Sequence, residues 1–260
     1  MIHRQPNDGL HVIIEGIDGS GKSTVLNACR AWAEERGISF FDAVEFSTRE
    51  GRLPTVDEVE SVTGLMTAEP TFCWTGRAIR EEMIAKHVDV VRGTWDVIRY
   101  SGWETAHGFS VDRLVQFRRV IIPFLQNHSD RIIFQDRSLA STLAYQPLQD
   151  ESLTTEKLLS LPGNAQTIAF APTLLILIRT EAAAAMARLS GRTEKQDEHI
   201  FEVEDFQQRL VKRFLSDDVL GPFKQAGTLI AEVDGNQSIE AVGESVKALL
   251  SQNLPNFARI

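Results

Sequence analysis

Gly16-Ile17-Asp18-Gly19-Ser20-Gly21-Lys22-Ser23-Thr24 restricts what this chain can fold into more than any other stretch. It fits the pattern G-x-x-x-x-G-K-[ST]. Before it lies Val12-Ile13-Ile14, an apolar run that reads as a buried strand. After it, Ser23 to Arg36 carries Leu26, Cys29 and Trp32-Ala33 at helical spacing, with Gly37 as a stop. Glycines let a backbone wrap so that successive N–H groups point at one spot, and the following helix adds its positive N-terminal end. Such a loop is an anion cradle. Lys22 supplies a point charge for the β- and γ-phosphates of ATP, and the Ser23 hydroxyl a ligand for Mg²⁺. A loop of this kind names a phosphate donor site but not a reaction, because ATPases, GTPases and small-molecule kinases share it.

The rest of the chain alternates short apolar runs with longer helical segments, the pattern of a parallel sheet. Strands are expected at Phe40 to Phe46, Arg131 to Gln135, Thr173 to Ile178 and Thr228 to Val233, and helices at Val111 to Leu125 and Phe201 to Leu215. The predicted fold class is α/β: a three-layer P-loop NTPase fold whose parallel sheet has about five strands flanked by helices. No repeat or linker divides the 260 residues, so 1–260 reads as one domain. Two stretches, about 47–64 and 86–108, read as insertions. The first holds Gly51, Pro54 and acidic residues, and the second holds Trp95, Tyr100 and Trp103 as packing for an extra helical element.

The formal net charge of -9 argues against a nucleic-acid track or an anionic membrane surface, so a bound anion needs a local cluster of donors. The 2 cysteines, Cys29 and Cys73, form no CxxC pair, which points away from a disulfide framework and from zinc. The polar start, Met1 to Asp8, lacks the apolar segment of a secretion signal, and the cytoplasm is the expected compartment.

The acceptor side begins at Asp136-Arg137, at the carboxyl end of a predicted strand. Ligands of open α/β sheets bind outside those ends. There Asp136 can hold water or Mg²⁺ beside the transferring group, and Arg137 can fork onto a phosphate.

Four segments in order resemble the thymidylate kinase family: Glu15 through Thr24, Thr67-Ala68-Glu69-Pro70, Phe109-Ser110-Val111-Asp112-Arg113, and Asp136-Arg137 through Ala144-Tyr145-Gln146. Gly76 and Ala78-Ile79-Arg80 also fall where that family commonly has Gly and Ala-Ile-Arg, and Glu232-Val233-Asp234 followed by Ser238 to Val242 resembles its tail. The resemblance implies transfer of the ATP γ-phosphoryl group to dTMP and a homodimer formed through helices flanking the sheet. It implies that Phe109 stacks on the thymine ring, a contact worth ~1–3 kcal/mol. Arg113, one helical turn on, would donate to a thymine carbonyl, Thr142 would meet the base edge and Tyr145 would crowd the 2′ carbon. Asp18 would touch the sugar 3′-hydroxyl or the magnesium shell, and Arg137 the acceptor phosphate. A mobile lid is expected at about 186–202, with Arg188 and Arg192 four apart on a helix end and aimed at phosphates.

This sequence departs from the family pattern in places. Ala68 stands where arginine is common, Ser138 where tyrosine or histidine is usual, and Glu198 where arginine often follows the lid aspartate. Ser20 occupies a position that some members give to arginine, and Arg192 of the lid would then supply that charge. Three other readings stay open, one of them a kinase for another pyrimidine deoxynucleoside monophosphate. A deoxynucleoside kinase would use Glu15 as the base for a sugar hydroxyl, and a non-catalytic nucleotide-binding module would need no acceptor site at all.

Overall fold

The structure is a computed structural model describing residues 1–85, 88–89, 94–95, 100–191, 204–254 and 257. The strands among them are β1 (Leu10–Glu15), β2 (Phe40–Asp42), β3 (Gly64–Ala68), β4 (Val88–Asp89), β5 (Thr94–Trp95), β6 (Ile132–Asp136), β7 (Leu174–Arg179) and β8 (Leu229–Asp234). Six of them form a wholly parallel sheet in the order β2-β3-β6-β1-β7-β8, and β4 pairs antiparallel with β5 outside it. Parallel strands covered on both faces read as near-continuous apolar runs. Leu10–Glu15, Ile132–Asp136 and Leu174–Arg179 are such runs, buried almost throughout.

The sheet has one strand more than expected. Gly64–Ala68 is fully buried as β3, paired to β6, although its five residues carry no alternation that marks a strand. The strand expected at Phe40 to Phe46 ends at Asp42 instead. The Asp42 carboxylate accepts from the N–H groups of Val44 and Glu45, both at 2.9 Å, and so caps a helix that follows at once, Ala43–Glu50.

Helices cover both faces. On one side α1 (Lys22–Glu34) lies against the C-terminal helix, Ile239–Asn253, over Val12, Ile14, Ile132, Phe134, Leu174 and Ile176. Trp32 fills that layer, and its indole N–H donates to Ser251 Oγ at 2.9 Å. The helices that follow α1 are α2 (Ala43–Glu50), α3 (Trp74–Ala78), α4 (Gly102–Gln116), α5 (Ile122–Leu125) and α6 (Leu139–Gln149). After them come α7 (Thr155–Leu159), α8 (Pro162–Ala169), α9 (Ala182–Ser190), α10 (Glu204–Phe214), α11 (Asp217–Gln225) and the C-terminal α12. On the second face α4, α6, α10 and α11 pack over Ile13, Leu175 and Leu177. Ser101 and Glu104 close a capping box that starts α4, so 102–108 belong to this long helix. α4 continues through a π-helical turn, Phe117–Ile121, into α5. Among the described residues no helix is long and apolar enough to cross a membrane.

α4 and α8 meet backbone to backbone. A Cβ on Gly163 would sit 1.9 Å from the Ser110 carbonyl oxygen, so only glycine permits this approach. The next residue, Asn164, accepts from Arg113 of α4. Gly163→Ala must part the two helices and should cost about 1–3 kcal/mol as overpacking does. Chemical denaturation of the wild type and the variant checks this, and equal midpoints would mean that the helices separate freely.

Candidate active site

Because the sheet is parallel, its carboxyl ends share one edge. β1 and β6 are neighbours, with Ile14 opposite Asp136. The loops leaving them therefore lie side by side. Gly16, Gly19 and Gly21 of the first loop all take positive φ, at 151°, 76° and 98°. Gly19 is also crowded, since a Cβ there would lie 2.3 Å from the Ala185 carbonyl oxygen of α9. Lys22 opens α1 and turns its amine back over the loop, donating to the carbonyls of Ile17 at 2.9 Å and Gly16 at 3.1 Å. Burial, and then repulsion by Arg137, lowers the Lys22 amine to about 8, while Asp18, Asp136 and Glu15 pull it back up. Ser20 is buried and Ser23 exposed at the first turn of α1.

The second loop places Arg137 in the left-handed region, with φ 63°. For a side chain with a Cβ this conformation costs on the order of 1 kcal/mol. The Arg137 guanidinium pairs with Asp18 of the phosphate loop and reaches Ser141 Oγ at 3.3 Å and Tyr145 Oη at 3.5 Å. Tyr145 Oη donates to the other Asp18 oxygen at 2.9 Å, so one carboxylate ties both groups to the loop. The Tyr145 ring packs edge-on and tilted against Phe214 and Phe206. Glu15 sits beneath, completely buried, accepting from the Ser138 and Ser141 hydroxyls, each at 2.7 Å, and from the Ser141 N–H at 3.2 Å. Burial raises its carboxyl above the usual range, and the Ser141 bond, Arg137, Ser138 and Lys22 hold it down in part.

Beside these groups a pocket opens between α4 and α6. Asp18, Phe109, Arg113, Arg137, Thr142 and Tyr145 all border it, whereas Asp136, also singled out from the sequence, does not. Phe109 is half-buried and Arg113 fully buried. Arg113 does not reach into the pocket as a free cation. It pairs with Glu69 at 2.7 Å, donates to Thr142 Oγ1 at 3.0 Å, and donates also to Asn164 Oδ1. Burial of two charges is tolerated because almost every donor is matched. Burial pushes the Glu69 carboxyl up to about 7, against the pull of Arg113.

Several pocket residues were not assigned from the sequence. Glu69, Pro70 and Arg80 border it, as do Ser138, Ser141 and Gln146. Glu69-Pro70 and Gln146 lay inside the motif segments, which was the available signal. Their burial, with one oxygen of Glu69 and of Gln146 lacking any hydrogen-bond partner, was not readable. Arg188, at the end of α9, donates to the Gly235 carbonyl at 2.7 Å and reaches the Gly19 carbonyl at 3.5 Å, clamping the phosphate loop to the turn after β8. Arg192 and Glu198 lie outside the described residues, as does the expected lid beyond residue 191.

The donor set fits a divalent cation. Asp136 has a buried Oδ1 with no hydrogen-bond partner among the described residues, and Ser23 offers an exposed hydroxyl at the start of α1. A hard cation with oxygen ligands and retained waters suits such a sparse pair. Taken together, the edge holds the glycine-rich loop, the Asp136 carboxylate and, 119 residues from Asp18 in sequence but paired to it, an arginine beside an aromatic-walled pocket.

The chain is similar in sequence to known proteins. The family model described as thymidylate kinase matches residues 56–246. A probable thymidylate kinase of Thermococcus gammatolerans is 26% identical over 246 residues, covering 95% of this chain and 98% of its own. A probable thymidylate kinase of Pyrococcus abyssi is 28% identical over 248 residues, covering 95% and 98%. A thymidylate kinase of Bifidobacterium longum is 28% identical over 241 residues, covering 93% and 97%. With the family model matching well over half of its length, this chain belongs to the thymidylate kinase family.

Proposed function

We propose that this protein transfers the γ-phosphoryl group of ATP to dTMP, giving dTDP and ADP, with the pocket between α4 and α6 as the acceptor site. The observation that carries this reading is the Asp18–Arg137 pair, which joins the phosphate cradle to that pocket. The acceptor phosphate attacks directly, so no protein nucleophile is required. What the chain supplies is alignment and charge neutralisation.

In this reading the loop Gly16 to Thr24 holds the ATP phosphates, with Lys22 beside the β- and γ-oxygens. Ser23 and Asp136 would hold Mg²⁺, which neutralises charge on bridging phosphate oxygens when bound. Arg137 takes the acceptor phosphate, exchanging part of its contact with Asp18 for it. Phe109 lies along the base and Arg113, with Thr142, meets its edge. Arg113 commits three of its five N–H groups to Glu69, Thr142 and Asn164, which leaves donors for a base carbonyl. Arg188 steadies the cradle through the Gly19 and Gly235 carbonyls. The lid, including Arg192, is proposed to close over the phosphates.

The competing acceptor class, a nucleoside with a free hydroxyl, needs a carboxylate to receive its proton. Glu15 is the residue in position, but its oxygens already accept from Ser138 and Ser141 and it is completely buried. Coupled ADP release with dTMP, with thymidine and without acceptor separates the readings. dTMP should be turned over far faster than thymidine, and equal or greater turnover of thymidine would sink the dTMP assignment.

Arg137→Ala should lower kcat/KM for dTMP by at least about a hundredfold, since arginines placed for phosphoryl transfer are worth roughly 10³–10⁵ in rate. Steady-state kinetics on folded variant decides this, and near-normal kcat/KM would remove Arg137 from the site. For the sugar, Tyr145→Ala should narrow the preference for dTMP over its ribose counterpart by about tenfold, because an unpartnered or clashing hydroxyl costs ~1–3 kcal/mol. Parallel losses for both acceptors would instead mark Tyr145 as packing against Phe206 and Phe214 alone.

A further inference from the structure

Arg137 is held in an unfavourable backbone conformation, and the groups that hold it lie in the sheet, not in the pocket. Its N–H donates to the Ile14 carbonyl at 2.9 Å, and its own carbonyl accepts from the side-chain amide of Gln135 at 2.8 Å. The Gln135 amide oxygen in turn faces His11 Nε2 of β1 at 3.0 Å. Gln135 is 0% exposed and His11 1% exposed, so both polar side chains sit within the apolar layer under α4, where His11 packs edge-on against Phe117.

The direction of this chain is fixed by chemistry. The Arg137 carbonyl can only accept, so Gln135 presents its NH₂ to it and its oxygen to His11. His11 must then be the tautomer with hydrogen on Nε2, and Nδ1, which has no partner, carries the lone pair. Burial, with Arg4 adding to it, lowers the imidazole to about 3, so His11 stays a neutral donor. Two buried polar groups aligned towards one strained peptide, when leucines would fill the layer, need a reason beyond packing.

We infer that Gln135 and His11 are positioning residues for Arg137: the His11–Gln135 hydrogen-bond chain locks the Arg137 carbonyl, and with it the left-handed backbone that aims the guanidinium at Asp18 and the acceptor phosphate. This rests on the reading of Arg137 as the acceptor-phosphate group. Without the Gln135 donor, the peptide following Arg137 can rotate to an ordinary conformation, and the guanidinium loses its aim while the pocket and the phosphate loop stay as they are.

The test compares dTMP with thymidine, which lacks the phosphate, by calorimetric titration of the whole chain. In Gln135→Met, close in volume but unable to donate, the ratio of dTMP to thymidine affinity should fall at least about fivefold, while thymidine affinity and the KM for ATP stay within about twofold. An unchanged ratio, or equal loss of both ligands, overturns the inference and returns Gln135 to core packing. If the wild type itself binds thymidine and dTMP equally, the Arg137 phosphate reading fails first. A measurement on the wild type guards against a variant that does not fold: long-range ¹H–¹⁵N correlation should show His11 as the Nε2–H tautomer at neutral pH. An Nδ1–H tautomer or a charged imidazole breaks the chain.

Discussion

Parallel pairing of β1 with β6 brings two loops together that are more than a hundred residues apart in sequence, and the Asp18–Arg137 ion pair then welds them. Everything else at the edge follows from that contact. Tyr145 hydrogen-bonds the same carboxylate, so α6 is docked on the phosphate loop through its second turn. Ser141 binds Glu15 with its hydroxyl and also reaches Arg137, so the first turn of α6 is docked on the end of β1. Asp18 and Arg137 are both half-buried, so losing this ion pair costs more than losing an exposed one.

A protein of net charge -9 must hold a polyanion with few cations. Lys22, Arg137 and Arg188 are each occupied by oxygens of the protein itself: loop carbonyls for Lys22, Asp18 for Arg137, and the Gly19 and Gly235 carbonyls for Arg188. These contacts prevent bare buried charges from shifting their neighbours apart. Desolvation still shows in Lys22, lowered to about 8, and a phosphate oxygen beside it would favour the charged amine again.

The parts legible in the sequence are those that use fixed residue types over short spans. Gly16 to Thr24 was readable because the turn demands glycines and the chemistry demands lysine and serine. α1 was expected from Ser23 to Arg36 and runs Lys22–Glu34, since apolar spacing at Val25, Cys29 and Trp32 sets it. β2 was expected to run on to Phe46 because Phe40, Phe41 and Phe46 look like strand residues; the Asp42 cap, a single side chain accepting two N–H groups, turned the chain into α2. β3 escaped notice because Gly64 to Ala68 is a strand only by virtue of β6 beside it. Arg113 was placed on the same helical face as Phe109, and both border the pocket, but its partners Glu69 and Asn164 come from 44 and 51 residues away. Such pairings arise from tertiary packing and leave no local trace.

Polar atoms left without partners in the interior mark where the sequence gives up stability. Among the described residues, Ser20, Glu69, Asp136 and Gln146 are among those with such an atom; the first three lie by the carboxyl ends of β1, β3 and β6, and Gln146 lies in α6 beside the pocket. A core built for stability alone would replace each with an apolar side chain of similar size, at a gain of about 1–3 kcal/mol per unmet group. Their types differ in a way that packing does not explain: a hydroxyl on the cradle, a carboxylate oxygen at the end of β6, and two acceptors against the pocket. The hydroxyl suits a phosphate, the β6 carboxylate a cation, and the pocket acceptors the N–H and O–H groups of a nucleotide. The same logic separates Gln135 from these four, because its amide is satisfied at both ends and holds another residue. Gln135 therefore acts on the site through Arg137, whereas Ser20, Glu69, Asp136 and Gln146 leave atoms open at the site itself.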